Sequence, residues 1–387
     1  MKRRFFASFF IMIWCCLLPC VSLAGCALFP SRLHGVERLL VVQAMGLDRE
    51  DGALRLSMAS AADSARGEGP VRLSGSGLSI SDAAEDIASR AAEEELFCAH
   101  TGHLLLGERS AREGALDELL RYVCRSRELR MDIPLYLVRD GSAREALLQS
   151  GDARVGAVEL LDSLAAAAPK REGRKPPGVS RIAGALESGS CALVTAVRLT
   201  PSAEQAEDGA LLTLSPAGCG VVARGELLGF VEEADMPGLD FLSGAGGVHT
   251  LTVRDRDGKR VTLQTAPGRT KLLALRDAEG RLTGLELTIL LDASVAEIDG
   301  RGALSDADYV DALAAAAERE VLRLSGHVVQ LEKTLDADLL GLQNRLARIS
   351  TARERARDGE SAFSPAALEI RLAASVSISH SNDMRDG

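Results

Sequence analysis

The chain has few aromatic residues and lacks the residue patterns of common catalytic sites. Aromatic side chains make up 3% of its 387 residues, and the one tryptophan, Trp14, lies in the N-terminal leader. The sequence contains no Gly-x-Ser-x-Gly turn for a serine nucleophile and no Cys-x-x-Cys pair for zinc. These absences argue against a hydrolase. The scarcity of aromatic residues also disfavours a solute-binding cleft, which is usually lined with aromatic and polar groups.

The chain also lacks an excess of basic residues. Its 45 Lys and Arg stand against 55 Asp and Glu, which gives a formal net charge of -10. The leader holds three of the cations and no acid, so the rest of the chain carries -13. An acidic chain is a poor partner for nucleic acid or anionic lipid, which both attract Lys and Arg. A hydrophobic content of 46% is ordinary for a folded globular protein.

The first 25 residues have the three parts of a signal peptide. A basic start, Met1–Arg4, precedes the apolar run Phe5–Val21, which is too short for a stable membrane span. Leu23, Ala24, Gly25 and Cys26 then resemble a lipobox, in which small residues fit a narrow protease site and the cysteine thiol receives diacylglycerol. We therefore expect a signal peptide at 1–25 and a lipidated tether at 26–35. Cys26 would anchor the chain at the outer leaflet of the plasma membrane.

Few cysteines remain for the folded part of the chain. After the leader and Cys26, four are left, far apart in the sequence: Cys98, Cys124, Cys191 and Cys219. Outside the cell they could form two disulfide bonds. Their wide spacing is more typical of small, buried apolar groups.

Strands alternate with helices in the first half of the sequence. Asp51-Gly52 is a turn signal, and the strand after it alternates apolar and polar residues. We predict strands at 39–48, 53–59, 71–76, 104–106 and 133–138, and helices at 81–95, 109–127 and 142–149, with Ser81 as the cap of the first helix. This order of elements indicates a mixed sheet with packed helices.

Hairpins dominate the second half, after two polar loops at 169–180 and 201–208. Turn signals at Gly225, Gly258 and Gly280 each separate two predicted strands. The strand pairs are 211–222 with 226–231, 248–253 with 261–265, and 269–276 with 282–291. We place one domain or more at 36–200 and a C-terminal domain at 201–387.

A long helix and a last strand follow. Leu and Val at intervals of three or four residues predict an amphipathic helix over 305–346, capped by Ser305 or Asp306, with bends or breaks at Gly326 and Gly341. Such a stripe packs on a sheet or forms a coiled coil, and we favour the sheet. Alternation over 370–378 predicts a strand that completes the second sheet. The predicted fold class is α+β, with mixed and antiparallel sheets in two or three domains and packed helices.

Six short motifs occur in the order seen in one known family. The first half contains Val42–Asp48 with its Gly-x-Asp, the segment Gly75–Ile87, a run from His100 through Gly107 and Glu108 to Gly114, and a turn with Arg125, Glu128 and Arg130. The second half contains Gly220–Gly229 and the A-D-x-x-G segment Ala337–Gly341 with Asp338. Behind the lipobox, these motifs resemble the Ger(x)C family of spore germination lipoproteins, the C subunits of nutrient germinant receptors.

The resemblance implies a subunit that is not an enzyme and works through protein contacts. Such a subunit sits on the outer face of the spore inner membrane, beside a multi-spanning A subunit and a transporter-like B subunit, and has no catalytic residues, cofactor or metal. The motif residues would be structural or would contact partners: His100, Gly107, Glu108, Arg125, Glu128, Arg130, Gly229, Asp338 and Gly341. Two family features, a Trp-Asp pair after the lipidated cysteine and a late Pro-x-x-Trp, are missing, which leaves open a divergent subtype or one with altered partner contacts.

The sequence contains three weaker candidates for a metal, nucleotide-binding or catalytic site. Cys98, His100 and His103 have ligand-like spacing but no fourth zinc ligand, so we interpret them as ordinary structural side chains. Gly75-Ser76-Gly77 lacks the last glycine of a dinucleotide-binding loop. Glu93–Glu95 suits a solvated helix end better than a pair of catalytic carboxylates.

Two other functions compete with a receptor subunit. The first is a solute-binding lipoprotein of a membrane transporter, and the second is an extracytoplasmic hydrolase. The scarcity of aromatic residues and the antiparallel second half disfavour the first, and the absence of an assembled catalytic motif disfavours the second.

Overall fold

The computed structural model describes residues 39–61, 69–91, 95–152, 155–171, 175–206, 209–244, 247–299, 304–358 and 363–379. The predicted signal peptide, the lipobox with Cys26 and the tether lie outside these ranges. Within them, none of the helices is both long enough and apolar enough to span a membrane.

The described residues form fifteen strands and ten helices. The strands are β1 Leu39–Val41, β2 Ala44–Glu50, β3 Ala53–Ala59, β4 Arg72–Gly77, β5 Glu95–Phe97, β6 His103–Gly107, β7 Leu135–Val138, β8 Ala192–Ala206, β9 Gly209–Ala223, β10 Glu226–Val231, β11 His249–Arg254, β12 Arg260–Thr265, β13 Arg269–Arg276, β14 Leu282–Ile298 and β15 Glu369–Ser379. The helices are α1 Ile80–Arg90, α2 Glu108–Arg112, α3 Ala115–Arg125, α4 Ala143–Gln149, α5 Ala157–Arg171, α6 Val179–Glu187, α7 Met236–Ser243, α8 Ala307–Leu335, α9 Leu342–Ile349 and α10 Ala352–Asp358.

An eight-stranded mixed sheet is built mainly from the first half of the chain, in the order β10-β9-β8-β7-β6-β2-β3-β4. Its four central strands run parallel, and antiparallel hairpins flank them. The centre of a parallel sheet is covered on both faces, so its strands are apolar throughout. In β6, Leu104 and Leu106 face a core with α1, α3 and α6, while Leu105 faces a second core with α4 and α5.

A five-stranded sheet forms in the second half, with β14 at its centre. β12 and β13 follow each other along one side of β14, antiparallel to it, and β11 pairs with β12 at the edge. β15 pairs with the other side of β14 in parallel. The inner face, which includes Leu285, Leu287 and Ile289, packs against α7, α8 and α9 in one core.

The two sheets share part of that core. Cys219, Val221 and Val231 belong to β9 and β10 of the eight-stranded sheet, yet they pack in the same cluster as α8 and β14. The predicted division at residues 200 and 201 falls inside β8, and the eight-stranded sheet continues through β9 and β10. Hydrogen bonding between these long strands therefore carries the sheet past the predicted boundary, while the domain assignment itself stays a prediction.

The predicted α+β class with mixed and antiparallel sheets and a long helix near the C-terminus is confirmed. The single strand predicted at 39–48 is wrong, because the backbone changes partners at Val42 and Gln43. The N–H of Val42 donates to the carbonyl of Phe97, and that of Gln43 donates to the carbonyl of Ala59. β1 consequently pairs with β5, and β2 enters the eight-stranded sheet.

Two predicted helices have different bounds from those expected. Ser79, not Ser81, caps α1, because its hydroxyl accepts the N–H of Asp82 while the Asp82 carboxylate accepts the N–H of Ser79. The helix ends at Arg90, and Glu95 begins β5. The helix predicted at 109–127 is divided in two, because Gly114 adopts a φ of 80° between α2 and α3.

The polar loop predicted at 169–180 is shorter in the structure. α5 continues through Pro169 to Arg171, and α6 begins at Val179. α5 and α6 were not predicted from the sequence, because their runs of alanine and small residues give only a weak periodic signal.

The long helix predicted at 305–346 ends earlier and is followed by a second helix. Asp306 caps α8, since its carboxylate accepts the N–H of Asp308. α8 stops at Leu335 because Asp336 takes a left-handed conformation, with a φ of 45°. Gly326 lies inside α8, whereas Gly341 precedes α9 with a φ of 61°.

Candidate functional site

The family-like Gly-x-Asp of β2 joins the eight-stranded sheet to α4. Asp48 is 2% exposed, and its two carboxylate oxygens accept the N–H groups of Ala143 and Arg144 at 2.9 and 2.8 Å. These N–H groups belong to the first turn of α4, where the helix itself provides no acceptor. Burial raises the pKa of Asp48, and the two hydrogen bonds oppose that shift. Asp48 therefore holds a helix rather than presenting a reactive group.

Two glycines of the same motifs provide the space for this contact. A Cβ atom at Gly46 would lie 2.9 Å from the side chains of Ala143 and Leu147. A Cβ atom at Gly107 would lie 2.1 Å from Oδ1 of Asp48. The close approach of β2, β6 and α4 therefore requires glycine at both positions.

Glu108 stabilises the loop that leads into α4. One carboxylate oxygen accepts the N–H of Asp140 at 2.9 Å, and the other accepts the guanidinium of Arg112 at 2.9 Å. Asp140 has a φ of 56°, a conformation that costs energy for a residue other than glycine. The contact with Glu108 offsets part of that cost.

The other predicted motif residues of the first half lie at the surface. His100 is exposed, with its ring 5.5 Å from that of Phe97. Arg125 and Glu128 are exposed around the end of α3, and Arg130 is paired with Asp132 at 2.7 Å. The structure does not bring these four residues together with Asp48.

The A-D-x-x-G segment places a second carboxylate at a helix start. The two oxygens of Asp338 accept the N–H groups of Leu342 and Gln343 at 2.5 and 3.0 Å, at the beginning of α9. The carbonyl of Asp338 accepts the thiol of Cys191 at 2.8 Å, which ties this turn to the start of β8. Gly229 packs beside the end of α8, since a Cβ atom there would lie 3.3 Å from the Leu335 side chain.

An acidic pair, of which Glu332 is buried and Asp338 half-buried, lies behind this turn. Glu332, near the end of α8, is 0% exposed and lies beside Asp338. Burial and the Asp338 charge raise the pKa of Glu332 to about 8. Arg345 is the cation beside both acids, and it donates to the carbonyls of Leu242 and Thr270 at 3.0 and 3.1 Å.

A cavity of about 500 Å³ opens in front of the same turn. It lies between α6, the starts of β8 and α7, and the segment 338–341. Cys191 lines it, and burial raises the pKa of that thiol to about 12, so it stays protonated and unreactive at neutral pH. The arrangement suits binding better than nucleophilic catalysis.

The sequence cluster of Cys98, His100 and His103 is not assembled into a metal site. His103 is buried, and its Nε2 lies 2.8 Å from Oδ1 of Asp162. Burial raises the pKa of the Cys98 thiol to about 11. Across the described ranges no three His, Cys, Asp or Glu side chains come close enough to hold a metal ion. Cys98, Cys124, Cys191 and Cys219 form no disulfide bond with one another.

Sequence reasoning missed Glu332, Arg345 and Cys191. One signal for Glu332 was present, because it continues the buried stripe of α8 four residues after Val328. A carboxylate in the register of a core residue indicates a buried acid. Arg345 and Cys191 carry no comparable local signal, since tertiary contacts alone bring them to the A-D-x-x-G turn.

Comparison with known proteins identifies the N-terminal part of the chain. Residues 34–154 match the family model of the spore germination protein N-terminal domain. The crystal structure of the GerBC protein has a similar fold, with a TM-score of 0.56, 16% sequence identity, and coverage of 86% of this chain and 96% of that chain. A search of curated protein sequences gives no match.

The match at 34–154 contains the Gly-x-Asp of β2 and the segment from His100 to Arg130, so it rests on the region that carries most of the predicted motifs. The similarity to GerBC is at the level of the fold and extends over the second half as well. The predicted resemblance to the Ger(x)C family of spore germination proteins is thereby confirmed for the N-terminal domain at residues 34–154, and the fold of the longer chain is similar to that of GerBC.

Proposed function

We propose that the chain is the lipid-anchored C subunit of a spore nutrient germinant receptor and that it acts through protein contacts, without catalysis. The observation that carries this proposal is the match of residues 34–154 to the spore germination protein N-terminal domain. The GerBC-like fold supports the extension of the proposal to the rest of the chain.

The chemistry of the motif residues supports a role without catalysis. Asp48 and Asp338 use both carboxylate oxygens to cap helices, and Glu108 holds the loop before α4. A catalytic acid or base must instead reach a substrate with a free oxygen or proton. These motif residues therefore maintain the shape of the subunit, and its outer surface contacts the partners.

Attachment to the membrane would come from a lipid on Cys26. From Cys26 to Leu39, the first described residue, an extended chain spans at most about 45 Å. Leu39, where the folded part begins, would remain within this distance of the outer face of the spore inner membrane. Confinement near the membrane raises the effective concentration of the subunit for its partners, a multi-spanning A subunit and a transporter-like B subunit.

The substitution Cys26→Ala tests the anchor and the function together. The variant cannot receive a lipid, so we expect it to leave the membrane fraction and nutrient-triggered germination to fall at least tenfold. The matched control is Cys20→Ala, which changes a leader cysteine outside the lipobox. Both variants are measured by membrane fractionation, immunoblotting and the loss of optical density of spores after addition of nutrient.

The two readouts separate the parts of the proposal. A Cys26→Ala protein that stays in the membrane fraction would contradict lipid anchoring through this residue. A variant that is released, yet supports germination at the wild-type rate, would contradict the receptor role.

A further inference from the structure

The cavity in front of the A-D-x-x-G turn has the size and position of a small-molecule site. Its volume of about 500 Å³ lies within the range of roughly 300–1,000 Å³ that is usual for ligand pockets. It opens where the eight-stranded sheet meets α7 and α9, and such junctions between packed units are common ligand sites.

Apolar side chains form one part of the cavity wall, and serine, threonine and asparagine side chains lie beside them. Ile182, Leu193, Met236 and Leu340 line it from α6, β8, α7 and the segment before α9. Contact with these side chains removes apolar surface from water, so the cavity favours a ligand with a compact aliphatic part.

The opening of the cavity carries positive charge. Lys175 and Arg181 line it with exposed side chains, and neither is ion-paired with a described residue. Asp338 is the one acidic residue among the lining side chains of the described ranges, and the N–H groups of α9 engage both of its oxygens. In a chain with a net charge of -10, this local excess of cations favours an anion.

We propose that this cavity binds a small aliphatic carboxylate, with its carboxylate between Lys175 and Arg181 and its hydrocarbon part against Leu193, Met236 and Leu340. A carboxylate accepts hydrogen bonds from both ammonium and guanidinium groups. The proposal goes beyond the receptor role above, because a subunit that works only through protein contacts needs no ligand. Binding would stabilise the contact of the eight-stranded sheet and α6 with α7 and the start of α9, since all of these elements line the cavity.

The test uses the full-length lipidated chain in lipid nanodiscs with 13C-labelled methionine methyl groups. The probes are 4-methylpentanoate, the neutral 4-methylpentanamide and the cationic 4-methylpentylamine. Titration with the carboxylate should shift the Met236 methyl signal to saturation, while the signals of Met45 and Met58, buried in the eight-stranded sheet, stay unchanged. The amide and the amine should bind at least tenfold more weakly.

A pair of charge-reversal variants completes the test. Lys175→Glu combined with Arg181→Glu should weaken carboxylate binding at least tenfold, and circular dichroism should be unchanged because both side chains are exposed. Arg319→Glu reverses an exposed cation on α8, away from the cavity lining, and should bind as the wild type does.

Three results would overturn the proposal: a Met236 signal that does not respond to the carboxylate, equal binding of carboxylate and amide, or undiminished binding by the double variant. Because nothing in this titration depends on germination, its failure would leave the receptor role untouched.

Discussion

At the scale of single residues, carboxylates that cap helices organise this chain. Asp48 and Asp338 lie in opposite halves of the sequence, yet each bonds to two successive N–H groups at the start of a helix. The positive end of the helix dipole adds to these charge-assisted hydrogen bonds. Each motif acid therefore fixes the position of one helix relative to a sheet or turn.

Asp48→Asn should lower the free energy of unfolding by about 1–3 kcal/mol, because the new amide NH2 would face backbone N–H groups in a buried site. Urea unfolding followed by far-ultraviolet circular dichroism measures the change. The control Asp311→Asn alters an exposed acid on α8 and should stay within about 0.5 kcal/mol of the wild type. Equal stability of Asp48→Asn and the wild type would contradict the capping role.

Glu332 makes the stability depend on pH. Its pKa is about 8 in the folded chain, against about 4.3 for an unfolded glutamate. Between these values the folded state holds a proton that the unfolded state has lost. The contribution of Glu332 to stability is therefore complete below about pH 4.3 and is lost as pH rises through about 8.

Glu332→Gln should remove this dependence. Between pH 6 and pH 8 the wild type should lose about 2 kcal/mol through Glu332, and the variant should lose about 2 kcal/mol less. Urea unfolding at the two pH values measures both slopes. Glu226→Gln, at an exposed position, should keep the wild-type slope. The same slope in Glu332→Gln would show that Glu332 is already ionised at pH 6.

At the scale of elements, the sequence predicts well the parts of the fold that short-range signals determine. It predicts poorly the parts that depend on long-range contacts. Asp51-Gly52 and Asp257-Gly258 gave correct hairpins, because the first is a two-residue turn between Glu50 and Ala53 and the second lies in a short loop between Arg254 and Arg260. The capping residue of α1 was misplaced by two positions, since several serines there could serve. The continuation of the first sheet beyond β7 depends on the pairing of Leu137 and Val138 with Ala196 and Val197, which are distant in sequence, and periodicity does not report such pairing.

The cavity and the acidic pair were missed for the same reason. Asp338 was singled out by its motif, but its contact with Cys191 spans 147 residues of sequence. Nothing in the local pattern around Cys191 distinguishes it from Cys98, Cys124 and Cys219. Such a site becomes visible only when the two halves of the chain are packed together.

Gly326 and Gly341 were both predicted as interruptions of the long helix, and only one of them is. Gly341→Ala should lower the free energy of unfolding by about 1 kcal/mol, because its φ of 61° is strained for any residue with a Cβ atom. Gly326→Ala should raise it by about 0.5–1 kcal/mol, because Gly326 lies inside α8 with open space around it. Thermal unfolding of the two variants should therefore shift in opposite directions. Destabilisation by Gly326→Ala would contradict the continuous helix.

At the scale of the whole molecule, the shared core connects the two sheets. Val231 of β10 is 1% exposed and packs in the cluster that contains α8 and β14. Val231→Ala should therefore weaken both sheets, by about 1–3 kcal/mol each, since it removes buried methyl groups from their common core. Hydrogen exchange of the β6 and β14 amide groups measures the two sheets separately. Loss of protection in one sheet alone would mean that they unfold independently.

If the chain is exported as proposed, the pairing of β15 with β14 has a consequence for the order of folding. A chain that crosses a membrane from its N-terminus presents β14 many residues before β15, although residues 369–379 must bond to residues 284–294. Until β15 is available, one side of β14 has no hydrogen-bonded neighbour, and an unpaired strand edge can pair with other chains. Folding factors on the far side of the membrane would have their greatest effect in this interval, between the arrival of the central strand and that of its last neighbour.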